Sequence, residues 1–215
     1  MSIIVPTITT DSQAVYDTNL TEFSKFSKRI HADASDGSFA PTNLLPLSSM
    51  HSMEGITLDV HLMSARPSEH LAAIIALKPS LCIVHAEVDD NVEAFFEQLR
   101  VNGIRAGIAI LRSTYPARVQ SRIQLADHVM IFAGELGRQG GTADMLQTEK
   151  VPLIRAIKPE VEIAWDGGVN LSNVRAITHA GVDVINVGSA ISNAADKAAM
   201  YQSLITESEK KGVLI

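Results

Sequence analysis

Short apolar runs alternate with longer segments of helical periodicity along the chain. The apolar runs predict eight strands, at residues 3–6, 29–33, 57–62, 81–85, 105–110, 128–132, 162–165 and 184–188. Most of these runs are continuously apolar, which is typical of parallel strands that are buried on both faces. The segments of helical spacing between them include residues 68–77, 91–101, 171–180 and 193–211.

This alternation predicts an α/β fold, and strands that are mostly followed by a helix predict a (β/α)8 TIM barrel. No Gly/Ser linker, charge block or low-complexity tract divides the chain, so residues 1–215 are expected to form a single barrel domain. The second unit is the weakest, because residues 42–55 are rich in Ser and Pro and predict a loop with only a short helix. An open doubly wound sheet is the main alternative, but it would use roughly five or six strands and leave other candidates unplaced.

The composition argues against a disordered, nucleic-acid-binding or membrane-spanning protein. Of the 215 residues, 46% are hydrophobic and 20% are charged, which argues against a disordered chain. The net charge is −6 with no run of Lys or Arg, so neither nucleic acid nor an anionic membrane is expected as a partner. No apolar stretch approaches the roughly 20 residues that span a bilayer. The lone Cys82 and the lack of a signal-peptide pattern predict a cytoplasmic protein.

Polar residues interrupt the apolar runs at the carboxyl ends of the strands, where barrels of this kind carry their chemistry. His31 and Asp33 are two residues apart, so they point to the same face of the second strand. His61 and Asp166 stand at equivalent heights on the third and seventh strands. A lone histidine of this kind is more often a hydrogen-bonded core residue, but four such residues on three strands favour a metal site. Nitrogen and oxygen ligands without thiolate predict one divalent ion: Zn²⁺, Fe²⁺, Mn²⁺ or Co²⁺.

Asp33 and Asp166 also have the character of an acid/base pair. Because the second and seventh strands lie across the barrel from each other, their carboxylates would address opposite faces of a bound substrate. Such a pair removes a proton from one face of a carbon next to a carbonyl and returns one to the other face, while the metal stabilises the oxyanion. The alternative for Asp166 is turn chemistry, since Asp-Gly-Gly is a common turn sequence.

Glycine-rich segments at strand ends predict a phosphate site. Gly167-Gly168 and Gly188-Ser189 end the seventh and eighth strands, just ahead of helices, where barrels of this type bind phosphate. A third segment, residues 137–141, includes Gly137, Arg138 and Gly140; it would add a cationic contact, with a solvated loop as the alternative. No P-loop, dinucleotide fingerprint or serine nucleophile elbow is present.

These motifs together resemble the ribulose-phosphate 3-epimerase family across essentially the whole chain. The matching segments are Val5-Pro6-Thr7-Ile8, His31-Ala32-Asp33 through Asp36-Gly37, Asp59-Val60-His61-Leu62-Met63, Val84-His85-Ala86-Glu87, Asp166-Gly167-Gly168 and Gly188-Ser189-Ala190-Ile191. The His-x-Asp, Asp-x-His-Leu-Met and Val-His-Ala-Glu segments, in this order and spacing, are the specific ones. The two glycine segments also occur in other phosphate-binding barrels.

The resemblance implies a barrel enzyme that interconverts ketopentose phosphates at C3 through a cis-enediolate stabilised by a divalent metal. It assigns the metal to His31, Asp33, His61 and Asp166, and the acid/base roles to Asp33 and Asp166. It further implies a homo-oligomer. The substrate contacts that it implies come from Thr7, Met63 and Met130, and from the phosphate loops with Gly137, Arg138, Gly140, Gly167, Gly168, Gly188 and Ser189.

The sequence departs from the family pattern around the substrate rather than at the metal. Thr7 replaces the usual Ser, and Ser35 replaces a Met. After the sixth strand, residues 133–139 replace the family's Asn-Pro-Gly-Phe-Gly-Gly-Gln pattern and include Glu135. We therefore expect retained epimerase chemistry on a ketose phosphate, with ribulose 5-phosphate and xylulose 5-phosphate as the leading pair. The alternatives are a different sugar phosphate, such as a ketohexose 6-phosphate, a non-catalytic sugar-phosphate binding protein, or an aldolase or decarboxylase. The last is disfavoured, because no lysine falls on a predicted strand.

Overall fold

The computed structural model describes residues 2–136 and 140–211, and these form a closed barrel of parallel strands. Its strands are β1 Ile3–Ile8, β2 Arg29–Ser35, β3 Thr57–Met63, β4 Leu81–His85, β5 Arg105–Ile110, β6 His128–Phe132, β7 Glu162–Asp166 and β8 Val184–Val187. Each strand pairs with the next in sequence order, and β1 pairs with β8 to close the barrel. The predicted TIM barrel is confirmed over the alternative of an open sheet.

Helices follow every strand except β2. They are α1 Gln13–Phe23, α2 Leu71–Leu77, α3 Val92–Val101, α4 Gln120–Leu125, α5 Lys150–Ile157, α6 Val174–His179, α7 Ser189–Ser192 and α8 Lys197–Ser208. The segment between β2 and β3 contains only a short 3₁₀ helix, Leu47–Ser49, in agreement with its Ser- and Pro-rich composition. None of the described helices is both long and apolar enough to cross a membrane.

The last helix begins later than its periodicity predicts. The pattern over residues 193–211 predicts one helix, whereas α8 begins at Lys197. The side chain of Asp196 accepts a hydrogen bond from the backbone N–H of Ala199 at 2.9 Å, which caps the helix at this point. This capping separates α8 from the short α7 that directly follows β8.

Apolar side chains fill the middle of the barrel. This inner cluster comprises Val5, Leu81, Ile83, Ala109, Met130, Ala164 and Val184. A larger cluster packs the strands against the helices and includes the completely buried Tyr16, Phe96 and Trp165. Because strands contact apolar side chains on both faces, their sequences are continuously apolar, and inward-facing polar side chains concentrate at the two ends of the barrel.

An ion-pair network crosses the amino-terminal end of the barrel. The Arg29 guanidinium donates through Nη1 and Nη2 to the two carboxylate oxygens of Glu162, at 2.8 and 2.9 Å. Its Nε donates to Asp59 Oδ2 at 2.6 Å. Glu162 Oε2 also lies 2.7 Å from His128 Nδ1 and 3.2 Å from Arg105 Nη2. These contacts connect β2, β3, β5, β6 and β7.

Glu162 is the centre of this network, and its protonation is tied to folding. Burial would raise the pKa of the Glu162 carboxyl, but the hydrogen bonds from Arg29 and His128 outweigh it and hold the pKa well below its usual range. A carboxyl with a lower pKa in the folded than in the unfolded chain contributes stability above the unfolded-state pKa, and that contribution is lost as the pH falls.

Replacing Glu162 by Gln should therefore lower the free energy of unfolding by about 3 kcal/mol at pH 7, because the half-enclosed Arg29 loses its bidentate partner. Urea titration measures this loss, with the exposed Glu160→Gln as the matched control. The deficit should shrink as the pH falls below about 4, where the wild-type protein itself begins to lose the contribution of Glu162. An equal deficit at neutral and acidic pH would contradict this account.

Candidate active site

A cavity of about 850 Å³ opens at the carboxyl end of the barrel. Residues from the ends of β1, β2, β3, β6, β7 and β8 line it, and side chains of α1 and α8 close one side. A cleft of this size accommodates a small molecule. It lies where the polar strand ends predict a site.

Four side chains converge beside this cavity. His31, Asp33, His61 and Asp166 each bring one nitrogen or oxygen within 4.8 Å of the others. Asp33 and His61 are direct partners in the β2–β3 pairing, and His31 lies on the same strand face two residues before Asp33. Asp166 is the last residue of β7. The structure thus brings together all four residues that the sequence predicts as ligands of a divalent metal.

Asp33 is held on both carboxylate oxygens. Its Oδ1 lies 3.1 Å from His61 Nδ1 and 3.3 Å from His31 Nε2. Its Oδ2 accepts a hydrogen bond from Thr9 Oγ1 at 2.6 Å. Burial alone would raise the pKa of the Asp33 carboxyl, but the neighbouring imidazoles outweigh it and hold the pKa well below its usual range. Asp33 is therefore an oriented carboxylate.

Asp166 has the opposite environment. Burial and the negative charge of Asp33 raise the pKa of the Asp166 carboxyl above its usual range, and the rings of His31 and His61 offset this only in part. Two carboxyls whose environments push their pKa values apart are typical of acid/base assignments in enzymes. The acid/base role of the pair stays a prediction, and the opposite directions of the two pKa values support it.

The donor set fits a divalent cation. His31 is completely buried; its Nδ1 has no hydrogen-bond partner among the described residues, and its Nε2 has only the 3.3 Å approach to Asp33 Oδ1. A buried ring nitrogen that is poorly satisfied is costly, and ligation of a cation by His31 would offset that cost. A cation would also offset the repulsion between the Asp33 and Asp166 carboxylates.

Two further residues contact this cluster, and the sequence gives neither a role. Thr9 holds Asp33, as described above. His85, at the end of β4, places Nε2 2.9 Å from His61 Nε2, and its ring stacks on Phe39 with centroids 4.4 Å apart. Burial lowers the pKa of His85 to about 4, so the ring is neutral at pH 7. For His85 the family motif is the only signal in the sequence; for Thr9 there is none.

Glycines form another part of the cavity wall. The cavity is lined there by Gly140, Gly167, Gly168, Gly188 and Ser189. Gly168 has φ +68°, and a Cβ at this position would lie 2.1 Å from the backbone nitrogen of Ala143, so only glycine fits. Close backbone approach of this kind suits recognition of a phosphate by N–H groups. Gly137 and Arg138, for which the sequence predicts contacts with the same phosphate, lie outside the described residues.

The remaining wall combines polar and apolar groups. Thr7 and Met63 line the cavity, and Thr7 Oγ1 is buried without a hydrogen-bond partner among the described residues. Met130 belongs to the inner cluster and is completely buried, with Sδ 3.4 Å from Asn186 Nδ2. Phe132, two residues further along β6, lines the cavity. Substrate contact by Met130 stays a prediction, and Phe132 is the β6 side chain that the structure places at the wall.

Comparison with known proteins adds an independent line of evidence. The model of the ribulose-phosphate 3 epimerase family matches residues 3–192. A ribulose-phosphate 3-epimerase of Aquifex aeolicus is 25% identical over 182 residues, which cover 81% of this chain and 82% of that protein. One from Helicobacter pylori is 28% identical, with 81% and 84% covered. A solved 3-hexulose-6-phosphate synthase has a TM-score of 0.74 at 18% identity, covering 96% of this chain and 99% of that one, and this likeness supports the fold.

The family match spans nearly all of the barrel, including all eight strands and the four converging side chains. The chain belongs to the ribulose-phosphate 3 epimerase family.

Proposed function

We propose that this protein is a metal-dependent isomerase that inverts C3 of a ketose phosphate, with ribulose 5-phosphate and xylulose 5-phosphate as the leading pair. The observation that carries the proposal is the convergence of two carboxyls and two imidazoles within 4.8 Å, three of them lining a cavity and His31 buried behind it. Membership of the epimerase family points to the same chemistry.

Asp33 and Asp166 would act on the two faces of C3. Two strands, β1 and β8, separate β2 from β7 on one side of the barrel, so the carboxyls approach the substrate from different directions. One would take the C3 proton, which leaves an enediolate across C2 and C3, and the other would deliver a proton to the opposite face. After one turnover the first carboxyl has gained a proton and the second has lost one. The protein is then ready to catalyse the reverse conversion.

His31, Asp33, His61 and Asp166 would hold the metal. When bound, a divalent ion supplies electrostatic stabilisation of the oxyanion that develops next to C3. The donor set of two imidazoles and two carboxylates suits Zn²⁺, Fe²⁺, Mn²⁺ or Co²⁺. Thr9 would keep Asp33 in a single orientation while its other oxygen faces the histidines.

The glycine-rich wall would bind the phosphate. Gly167-Gly168, Gly188-Ser189 and Gly140 line the cavity, and backbone N–H groups of these segments would donate to the phosphate oxygens. Gly137 and Arg138 complete this part of the proposal. Thr7 and Met63 would contact the sugar, because both line the cavity near the carboxyls.

A cytoplasmic location and a homo-oligomeric state belong to the same proposal. They rest on the family resemblance and on the single buried cysteine. The net charge of −6 supports the absence of nucleic-acid partners.

Replacing either Asp33 or Asp166 by Asn should reduce turnover by at least about 100-fold, because each variant lacks one acid/base group. Proton NMR in D₂O measures both epimerisation and exchange of the C3 proton of ribulose 5-phosphate. The exposed Asp89→Asn is the matched control and should keep the wild-type rate. A variant that kept more than roughly a tenth of the activity would contradict the two-carboxyl mechanism.

Removing the metal with a chelator should abolish turnover, and adding back Zn²⁺, Fe²⁺, Mn²⁺ or Co²⁺ singly should show which ion restores it. The wild-type protein should bind one ion per chain by calorimetry, and His31→Gln should weaken that binding. Full activity of protein shown by elemental analysis to be metal-free would refute the metal requirement.

The substrate is tested by comparing ribulose 5-phosphate with ketohexose 6-phosphates under the same conditions. We expect the higher kcat/KM for ribulose 5-phosphate, because the family to which this chain belongs is named for the epimerisation of ribulose phosphate. A higher value for a six-carbon sugar phosphate would establish the alternative epimerase. Binding of either sugar phosphate without any exchange of solvent protons would identify a non-catalytic binding protein instead.

A further inference from the structure

Three side chains in succession, His61, His85 and Glu87, connect the candidate metal site to the end of β4. His61 Nε2 lies 2.9 Å from His85 Nε2. On the other side of the same ring, His85 Nδ1 lies 3.6 Å from Glu87 Oε2. Both of these outer atoms are buried, and neither has a hydrogen-bond partner in the part of the chain that the structure describes. A shift of a few tenths of an ångström would convert this approach into a hydrogen bond.

Neighbouring groups hold His85 and Glu87 in place. Phe39 stacks on His85 with an interplanar angle of 25°, which restricts rotation of the ring. Glu87 Oε1 accepts a hydrogen bond from the backbone N–H of Leu111 at 3.0 Å. The ammonium group of Lys150 donates to the carbonyl oxygen of the same Leu111 at 2.6 Å, which fixes the backbone to which Glu87 is bonded. These contacts restrict the movement of His85 and Glu87.

The geometry allows only two proton arrangements along neutral rings. A single hydrogen occupies the space between His61 Nε2 and His85 Nε2, so one nitrogen donates and the other accepts. If His61 donates, its own proton is on Nε2, its Nδ1 presents a lone pair, and the proton of His85 is on Nδ1, facing the Glu87 carboxylate. If His61 accepts, its proton is on Nδ1 and points at Asp33 Oδ1, 3.1 Å away.

The two carboxylates therefore favour opposite tautomers of His61. Asp33 favours the form with the proton on Nδ1, which has no lone pair left for a metal on that side. Glu87, acting through His85, favours the form with the proton on Nε2. In the second form the lone pair of Nδ1 faces Asp33, one of the four residues of the candidate metal site.

We propose that His85 and Glu87 are positioning residues that keep the proton of His61 on Nε2, so that Nδ1 is free to bind the metal. This inference rests on the metal site of the proposed function. It gives the Val84-His85-Ala86-Glu87 motif a physical role: the two polar residues of the motif set the tautomer of a ligand that is supplied by the neighbouring strand, β3.

The first test is metal affinity. Glu87→Gln removes the carboxylate with little change in shape, and His85→Phe keeps the stacked ring without its acceptor nitrogen. The Zn²⁺ affinity of both variants, measured by competition with a chromophoric chelator, should fall by roughly 10- to 100-fold, the range for loss of such outer partners. His85→Gln can still accept through its amide oxygen and should recover most of the affinity. The exposed Glu93→Gln, at the start of α3, is the control and should bind Zn²⁺ as the wild-type protein does.

The second test reads the tautomer directly. In protein labelled with ¹⁵N at histidine, the Zn²⁺-loaded wild type should show the His61 proton on Nε2. In the metal-free state, Glu87→Gln should shift His61 toward the form with the proton on Nδ1, compared with the wild type and with Glu93→Gln. A merely structural role for Glu87 would leave this equilibrium unchanged. Because Glu87→Gln is nearly isosteric, this test holds even if His85→Phe fails to fold.

The outcomes separate this inference from the proposed function. Wild-type Zn²⁺ affinity and an unchanged His61 tautomer in folded Glu87→Gln would overturn the positioning role, whatever the activity. The expected affinity losses in a protein that epimerises no ketose phosphate would support the positioning role and overturn only the proposed reaction. A wild-type protein that binds no divalent metal would overturn both.

Discussion

The register between β2 and β3 determines both ends of this barrel. Seven consecutive pairs, from Arg29 with Thr57 to Ser35 with Met63, place Asp33 beside His61 and His31 beside Asp59. The same alignment lets Arg29 reach Asp59 at the opposite end of the strands. A slip by one residue would reverse the faces of all these side chains, so the apolar middle of the barrel and its two polar ends depend on a single alignment.

The two polar ends balance their charges in different ways. At the amino-terminal end, Arg29 pairs with both Asp59 and Glu162. Arg105 also pairs with Glu162, which completes a structural network. At the carboxyl end, the charges acting on Asp166 come from Asp33 and from two imidazoles. A bound metal ion would balance the two carboxylates at the carboxyl end. At the amino-terminal end the arginine side chains already balance the carboxylates. This difference supports the proposed chemistry at the carboxyl end, whereas the ion pairs at the amino-terminal end stabilise the barrel.

The same contrast explains why outer groups matter at the candidate metal centre. Imidazoles are ambiguous ligands, because either nitrogen can carry the proton. Thr9 orients the Asp33 carboxylate by holding one of its oxygens, and in our proposal His85 with Glu87 sets the proton position of His61. Thr9 directly follows β1, His85 ends β4 and Glu87 lies two residues beyond it, so the strands that flank β2 and β3 bring these supporting groups to the site.

The strands, the barrel and the four converging side chains follow from the sequence alone, because they depend on local patterns: apolar runs that end in polar residues, with His31 and Asp33 spaced for one strand face. The tertiary structure decided the partners across long separations. Arg29 and Glu162 are 133 residues apart, and Thr9 and Asp33 are 24 apart, so no spacing rule connects them. The tertiary structure also decided how far along the barrel a side chain lies. Met130 and Phe132 are two residues apart on β6 and share a strand face, but only Phe132 lines the cavity. Periodicity specifies which face a side chain takes, whereas height within a closed barrel and contact across it depend on the stagger of all eight strands.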